Sequence, residues 1–144
     1  MSFAMVIGRL KGQGIITRAA KHNLREISAE FGHGRINPLV SSENVRLRGP
    51  ATAKEVAELR KSLLIAANLN TTLRKNAVEG VEVLFTWPRP RHECPLQYFE
   101  DCTRWAEDHF QVPVLSSVIH LDESQPHCHL MLLPLINGHM NGSD

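Results

Sequence analysis

Near the end of the chain, three histidines and two carboxylates fall within ten residues: His120, Asp122, Glu123, His127 and His129. Side chains alternate between the faces of a β-strand, so His127 and His129 are expected to share one face and Cys128 to lie on the other. If the preceding segment pairs antiparallel with this strand, His120 completes a site of three imidazoles. Imidazoles bind divalent transition metals, with Glu123 or a water at a further position. Asp122 is expected to orient a histidine by accepting its second N–H.

A His-x-His pair on a strand is by itself an ordinary feature of a folded domain. Placing three histidines, an aspartate and a glutamate beside apolar strands has no packing benefit, however, and is costly unless a ligand satisfies them. We therefore interpret residues 120–129 as a metal site.

The elements that must position this site follow from hydrophobic spacing and from turn residues. Thr52 and Glu55 have the form of a capping box, and the apolar residues behind them keep helical spacing. The stretch 32–50 is rich in glycine and proline and is expected to be a long loop. Strands are predicted at 3–7, 81–87, 114–120 and 127–133, and helices from residue 53 onward and from Pro95 onward. Residues 17–31 have helical composition, interrupted in character by His22 and Asn23. This order favours an α+β fold, an antiparallel sheet with helices packed on one face.

Composition limits the class of protein. The chain has 144 residues, 42% hydrophobic and 22% charged, which is typical of one globular domain and excludes a fibrous or disordered chain. Its apolar runs are too short to span a membrane, so no membrane segment is expected. Three cysteines, an odd number without paired metal spacing, favour a reducing, cytoplasmic location.

The net charge of +1 hides an asymmetry between the two parts of the chain. Residues 1–80 carry 13 basic and 6 acidic side chains, whereas residues 81–144 carry 3 basic and 9 acidic ones. A basic half can neutralise phosphates while the acidic half helps to hold a cation. Charge alone does not separate this interpretation from two solvated surfaces.

Four motifs in order give the chain a resemblance to a known family. His-Leu-Asp-Glu-x-x-Pro-His-x-His at 120–129 resembles the metal motif of MobV-type plasmid mobilisation relaxases, which belong to the HUH endonuclease superfamily. Residues 21–25 resemble the family's His-Asn-x-Arg motif, and 36–38 with Asn44 resemble its Asp-Pro and Asn motif, with Asn37 for Asp. Residues 74–78 resemble its Arg-Lys-Asp-Ala-Val segment, with Asn76 for Asp.

The resemblance implies a fold and an activity. The fold would be the ferredoxin- or RRM-like palm of the relaxases, and 1–144 would be one catalytic domain lacking a C-terminal helical extension. The enzyme would nick and rejoin one strand of DNA at an origin of transfer, single-stranded or in a hairpin, and would stay joined to the 5′ phosphate. Mn²⁺ is the expected metal, with Mg²⁺, Zn²⁺ or Ni²⁺ as alternatives, and conjugation accessory or coupling proteins are possible partners.

The resemblance also implies roles for particular residues. His22 is the implied nucleophile, because the single tyrosine, Tyr98, is expected to pack in the core. Glu123 is the expected partner of the second ring nitrogen of His22, with metal ligation as its competing role. Four residues are expected to contact DNA: Lys21, Arg25, Asn44 and Arg74.

Two other functions stay open at this point. The chain could be a non-catalytic regulator that binds an origin, or a metal-dependent phosphoesterase of small substrates. Binding of origin DNA without cleavage would identify the first, and phosphoester hydrolysis without a DNA adduct would identify the second.

Overall fold

A five-stranded antiparallel sheet forms the centre of the molecule. The computed structural model describes residues 4–33, 36–89 and 96–142; Phe3, Cys94 and Pro95, which figure in the predictions above, lie outside them. The strands follow the order β1-β3-β5-β4-β2 across the sheet. Their bounds are β1 Ala4–Lys11, β2 Val45–Arg48, β3 Val78–Thr86, β4 Val114–His120 and β5 His127–Leu132, and a separate hairpin joins β6 Leu135–Ile136 to β7 His139–Met140.

Helices cover both faces of this sheet. The helices α1 Ile15–Asn23 and α2 Ala53–Ala66 pack on one face, together with Met131 and Leu133. The third helix, α3 Leu96–Phe110, packs on the opposite face through Phe99, Cys102 and Ala106. The predicted antiparallel α+β sheet is confirmed, but the prediction of helices on one face is wrong.

The two strands that carry the histidines lie in the interior of the sheet. Successive residues of β5 enter the two cores in turn: Cys128 and Leu130 face α3, and Met131 faces α1 and α2. Cys128 is fully buried, as predicted. A strand buried on both faces holds its side chains in fixed directions, which suits a site that needs three imidazoles in one place.

The segment of helical composition over residues 17–31 is interrupted in the structure. Its α-helical part ends at Asn23, Arg25 adopts a left-handed conformation with φ of 58°, and a 3₁₀ helix follows at Ser28–His33. A left-handed residue cannot continue a right-handed helix, so the chain turns there. This turn brings Glu30 back beside the end of α1.

The predicted loop at 32–50 contains regular structure. A 3₁₀ helix occupies Pro38–Glu43, capped by the side chain of Asn37, and β2 follows as an edge strand on β4. The predicted cap before α2 is confirmed on one side: Thr52 Oγ1 accepts from the Glu55 N–H at 3.2 Å, whereas the Glu55 carboxylate accepts from the Thr52 hydroxyl at 2.8 Å. No helix in the described ranges is long and apolar enough to cross a membrane.

Candidate metal and nucleophile site

The antiparallel register of β4 and β5 brings the three predicted histidines together. His120 pairs directly with His127 across the two strands, and His129 lies two residues further along the same face. One ring nitrogen from each of the three lies within 4.8 Å of the others.

Hydrogen bonds fix which nitrogen of His120 and of His127 faces this cluster. Nε2 of His120 donates to the Asn23 carbonyl at 2.7 Å, and Nδ1 of His127 donates to the Gln125 carbonyl at 2.9 Å. Each ring therefore turns its lone pair inward, and His120 Nδ1 lies 3.3 Å from His127 Nε2. Two lone pairs at that distance cannot form a hydrogen bond with each other. His120 Nδ1 accepts from Arg25 Nη2 at 3.2 Å, and a bound metal ion would satisfy His127 Nε2.

His129 adds a second observation that fits a metal. It is 8% exposed, and neither of its ring nitrogens has a hydrogen-bond partner among the described residues. Nδ1 lies 3.3 Å from Oε1 of Glu82, and this contact helps to lower the pKa of that carboxyl. Buried polar atoms without a partner are rare in folded proteins, and an ion bound at this nitrogen would satisfy it.

The electrostatic surroundings keep these ligands in their metal-binding form. Burial lowers the pKa of His120 to about 2, and burial also lowers the pKa of His127. Both imidazoles are thus neutral over the physiological range, as metal ligation requires.

His22 lies within reach of this cluster. It belongs to the last turn of α1, and its ring centroid lies 6.0 Å from that of His120 and 5.7 Å from that of His129. Three of the four histidines, His22, His127 and His129, line an open cavity of about 820 Å³, and His120 is buried behind them. The imidazole at the start of the chain and the trio near its end thus form one site.

The partner of His22 is Glu30 and not Glu123. Nδ1 of His22 lies 2.7 Å from Oε2 of Glu30, while the other oxygen of Glu30 is buried without a hydrogen-bond partner in the described part of the chain. A continuous helix would have placed these two residues about 12 Å apart along its axis, so the sequence pattern concealed the pair. The turn at Arg25 brings the side chains of His22 and Glu30 into contact.

Glu123 instead faces the metal cluster. Its Oε1 lies 3.6 Å from Nε2 of His127 and 4.0 Å from Nδ1 of His120. This position favours the second role considered for Glu123, metal ligation, over the role of partner to His22.

Arg25 fastens the turn after α1 to the loop between β4 and β5. Its Nε and Nη2 donate to the two oxygens of Asp122, each at 2.8 Å, and Nη2 also reaches Glu123 at 2.7 Å and His120 Nδ1 at 3.2 Å. The Arg25 side chain is only 7% exposed. The guanidinium predicted to contact DNA is therefore held inside the protein.

Asp122 accepts hydrogen bonds from side chains other than histidine. Besides Arg25, it accepts from Ser41 Oγ at 2.7 Å and from Asn44 Nδ2 at 3.0 Å. Burial raises the pKa of Asp122, but the hydrogen bonds from Arg25, Ser41 and Asn44 lower it by more. The pKa of Asp122 therefore lies below its ordinary value. The predicted contact of Asp122 with a histidine is wrong; Asp122 anchors the segments around the site.

The other predicted DNA contacts lie in three different environments. Both polar atoms of the Asn44 side chain form hydrogen bonds within the protein: Nδ2 donates to Asp122, and Oδ1 accepts from the Leu121 N–H at 2.7 Å. Lys21 is exposed next to His22. Arg74 is exposed just before the start of β3, whereas the histidines lie at the far end of that strand, where Thr86 pairs with His127. The structure does not bring Arg74 to the cluster.

Tyr98 packs against Trp87 and Phe99, with ring centroids 5.0 and 5.1 Å away, and its hydroxyl donates to the Thr86 carbonyl at 3.4 Å. The expected packing role of this tyrosine agrees with these contacts.

Comparison with known proteins gives one family and one fold. All residues 1–144 match the model of a family described as plasmid recombination enzyme. No curated protein sequence is similar enough to count as a match.

Solved structures of the MobM relaxase domain share the fold. One, a Mn-bound crystal structure with a 22-nucleotide oriT DNA of plasmid pMV158 carrying a 3′ thiophosphate, has a TM-score of 0.83 and 22% identity, over 98% of this chain and 74% of that chain. Another, bound to a 26-nucleotide oriT DNA of the same plasmid, has a TM-score of 0.67 and 20% identity, over 98% of this chain and 74% of that one. At this identity the likeness establishes the fold.

Proposed function

The chain belongs to the plasmid recombination enzyme family, and from that premise we propose that it is a relaxase, a metal-dependent enzyme that cuts and rejoins one DNA strand at an origin of transfer. The observation that carries this proposal is the position of the His22 ring within 6.0 Å of two imidazoles of a trio whose ring nitrogens lie close enough together to hold a cation. A nucleophile beside a cation is the arrangement that phosphodiester transfer needs.

His22 is the nucleophile of the proposed reaction. With Nδ1 bonded to Glu30, the neutral ring carries its free lone pair on Nε2. A bond forms between Nε2 and phosphorus, the bond between phosphorus and the 3′ oxygen breaks, and that oxygen takes a proton from solvent. The strand is then held by its 5′ phosphate, and attack by a 3′ hydroxyl reverses the step and rejoins the strand.

Glu30 compensates the charge that this step creates. Bonding of phosphorus to Nε2 leaves a positive ring whose proton remains on Nδ1, 2.7 Å from the Glu30 carboxylate. A fixed negative charge at that place stabilises the transition state and keeps the ring oriented for attack.

His120, His127 and His129 would hold the divalent cation, with Glu123 beside them. Held there, a divalent cation would supply positive charge that stabilises the phosphate during transfer. Mn²⁺ is the metal that we propose, because the similar MobM relaxase domain was crystallised with Mn; an imidazole trio also suits Zn²⁺ or Ni²⁺.

A plasmid-nicking assay tests the proposal. A supercoiled plasmid that carries the DNA flanking the chain's own coding sequence is incubated with the protein and Mn²⁺, with or without EDTA. We expect open circles with protein attached to the new 5′ end, and none with EDTA. Cleavage that leaves free 5′ phosphates would instead indicate the phosphoesterase alternative, and binding without cleavage would indicate the regulator.

We also propose a cytoplasmic location, the compartment in which plasmid DNA is found. Cys102 and Cys128 are both buried free thiols, which a reducing compartment maintains.

A further inference from the structure

The two edges of the central sheet are built differently. At one edge, β2 has four residues, two of them arginines, and its pairing with β4 is irregular between Arg46 and Arg48. Folded proteins use short, charged and irregular strands at a sheet edge to keep it from pairing with another chain. The β2 edge is therefore protected against association.

The strand β1, at the opposite edge, lacks these protections along its middle. It has eight residues, β3 is its single neighbour among the described strands, and the pairing with β3 is regular from Ala4 to Leu10. Val6 and Ile7 lie in the middle of this run and are 64% and 50% exposed. Alternate residues of an edge strand point their N–H and C=O groups away from the sheet. A long, regular edge with exposed apolar side chains is thus a surface on which another strand can pair.

Neither layer of helices covers the middle of this edge. Val6 lies on the same face of the sheet as Leu10, which packs with α1 and α2. Ile7 lies on the same face as Met5, which packs with the α3 core. Because both Val6 and Ile7 are exposed, the sheet extends past the helices on its two faces. A further strand can therefore join the sheet without displacing a helix.

The sequence of β1 is complementary to a second copy of itself. Ile7 is the midpoint of the regular run, and an antiparallel pair centred there places Ile7 opposite Ile7 of the second copy and Val6 opposite its Gly8. An added Cβ at Gly8 would meet no atom within 4 Å, so the space beside Gly8 accommodates the Val6 side chain. Arg9 falls opposite Met5, so no like charges face each other. This self-complementarity favours a second copy as the occupant of the edge.

We propose that two copies of this chain associate through β1, antiparallel and centred on Ile7, so that their sheets become continuous. The contact needs neither metal nor DNA, so the proposal does not rest on the function proposed above. A two-fold axis perpendicular to the sheet relates the two copies. Because β1 is occupied by this contact and β2 is protected, association stops at the dimer.

This arrangement brings two histidine cavities to the same side of the dimer. An axis perpendicular to the sheet keeps the faces that carry α1 on one side. Leu84, which lines the cavity, is the residue of β3 that pairs with Val6. The β5 strands of the two copies are then five strand spacings apart, about 24 Å. The two cavities thus open side by side.

Sedimentation velocity measures the association without metal or DNA, at protein concentrations from about 1 to 200 µM, because dimerisation depends on concentration. The wild type should pass from monomer to dimer across this range. Ile7→Lys places two ammonium groups opposite each other at the axis and should weaken association about 100-fold or more. Ile65→Lys is the matched control: Ile65 is 63% exposed on α2, so the same change away from β1 should leave association unchanged.

Disulfide formation tests the register and does not require Ile7→Lys to fold. Directly opposite residues of antiparallel strands have Cα atoms about 5 Å apart, within reach of a disulfide, whereas the two Val6 residues would be about 8 Å apart. In a Cys94→Ser background, Ile7→Cys should therefore form a disulfide-linked dimer on mild oxidation, and Val6→Cys should not. Cys102 and Cys128 are buried and do not compete.

The proposal is overturned if the wild type stays monomeric up to about 200 µM or forms species larger than a dimer. It is also overturned if Ile7→Lys, shown to be folded by circular dichroism, dimerises like the wild type, or if Ile65→Lys weakens association as much as Ile7→Lys does. Cross-linking of Val6→Cys as fast as that of Ile7→Cys would refute the pairing centred on Ile7.

Discussion

The pair formed by His22 and Glu30 determines how the proposed nucleophile works. Because Nδ1 of His22 is bonded to a carboxylate, the attacking nitrogen is Nε2, and the carboxylate meets the positive charge that the ring acquires. Neither effect requires Glu30 to touch the DNA, so it is a positioning residue.

Replacing Glu30 by Gln is expected to lower the nicking rate about 100-fold, within the range of general acid–base and orienting effects. The amide oxygen can still accept from Nδ1, but the compensating charge is lost. Single-turnover rates at saturating DNA measure the change, with Glu58→Gln on α2 as a matched control on an exposed carboxylate. A Glu30→Gln enzyme with the wild-type rate would remove Glu30 from the mechanism.

His129 is the imidazole whose two nitrogens lack hydrogen bonds in the described part of the chain. Replacing it by Ala should weaken Mn²⁺ binding by about 100-fold or more, because one ligand of three is removed and even indirect partners of a ligand contribute 10- to 100-fold. Isothermal titration calorimetry of the metal-free protein measures this loss. His139→Ala, a change at an exposed histidine on β7, should bind Mn²⁺ as the wild type does; equal affinities for all three proteins would place the metal elsewhere.

The buried His120 also makes stability depend on pH. Its folded pKa, about 2, lies below the unfolded value of 6.5, so between these values only the unfolded chain binds the proton. The free energy of unfolding should therefore fall as the pH drops below 6.5, by about 1.4 kcal/mol per pH unit from this group. Urea titrations of metal-free protein between pH 6.5 and 5 should show a shallower fall for His120→Asn, and an unchanged slope would contradict the burial of a neutral His120.

At the scale of elements, the site depends on how segments of different kinds meet. The strands β4 and β5 could be predicted from sequence because the alternation of side chains is visible within each strand and the two strands follow each other along the chain. Their antiparallel pairing was enough to predict that the three histidines meet. The contact between His22 and Glu30 could not be predicted, because it depends on the left-handed conformation of Arg25; His22 and Asn23 indicate an interruption of the helix but not the direction of the turn that follows.

The edge strand β2 was missed for a different reason. Val45 and Leu47 alternate with Arg46 and Arg48, which is the pattern of a half-buried strand, but the glycines and prolines around them favoured a loop. The presence of helices on both faces of the sheet could also have been predicted. The unbroken apolar run from Leu130 to Leu133 indicates a strand that is buried on both sides.

Gly49 shows how tightly the end of β2 is placed. Its φ of +88° favours glycine, and an added Cβ would collide with the Leu115 carbonyl oxygen and lie 2.9 Å from Ser116 Cα. Gly49→Ala is expected to lower the free energy of unfolding by more than about 1 kcal/mol. Gly138→Ala is the control, since Gly138 has a φ of +79° but no atom within 4 Å of an added Cβ. Thermal unfolding should show a clearly larger loss for Gly49→Ala, and equal losses would mean that β2 has room to move.

At the scale of the whole molecule, the distribution of charge agrees with a division of labour. The N-terminal part supplies the proposed nucleophile, His22, and its partner Glu30, and the acidic C-terminal part supplies the proposed metal ligands and Glu123. The distribution of charge suggested this division, but only the fold shows that the end of α1 places His22 beside the histidine trio of the C-terminal part.

The measurement that tests the central claim most directly is the identity of the residue that becomes attached to DNA. Wild-type protein is incubated with the nicked origin and Mn²⁺, digested at neutral to alkaline pH to preserve a phosphorus–nitrogen bond, and sequenced by mass spectrometry. We predict a nucleotide on His22, and no adduct with His22→Ala, which should still bind Mn²⁺. An adduct on Tyr98, or one that persists in His22→Ala, would contradict the account.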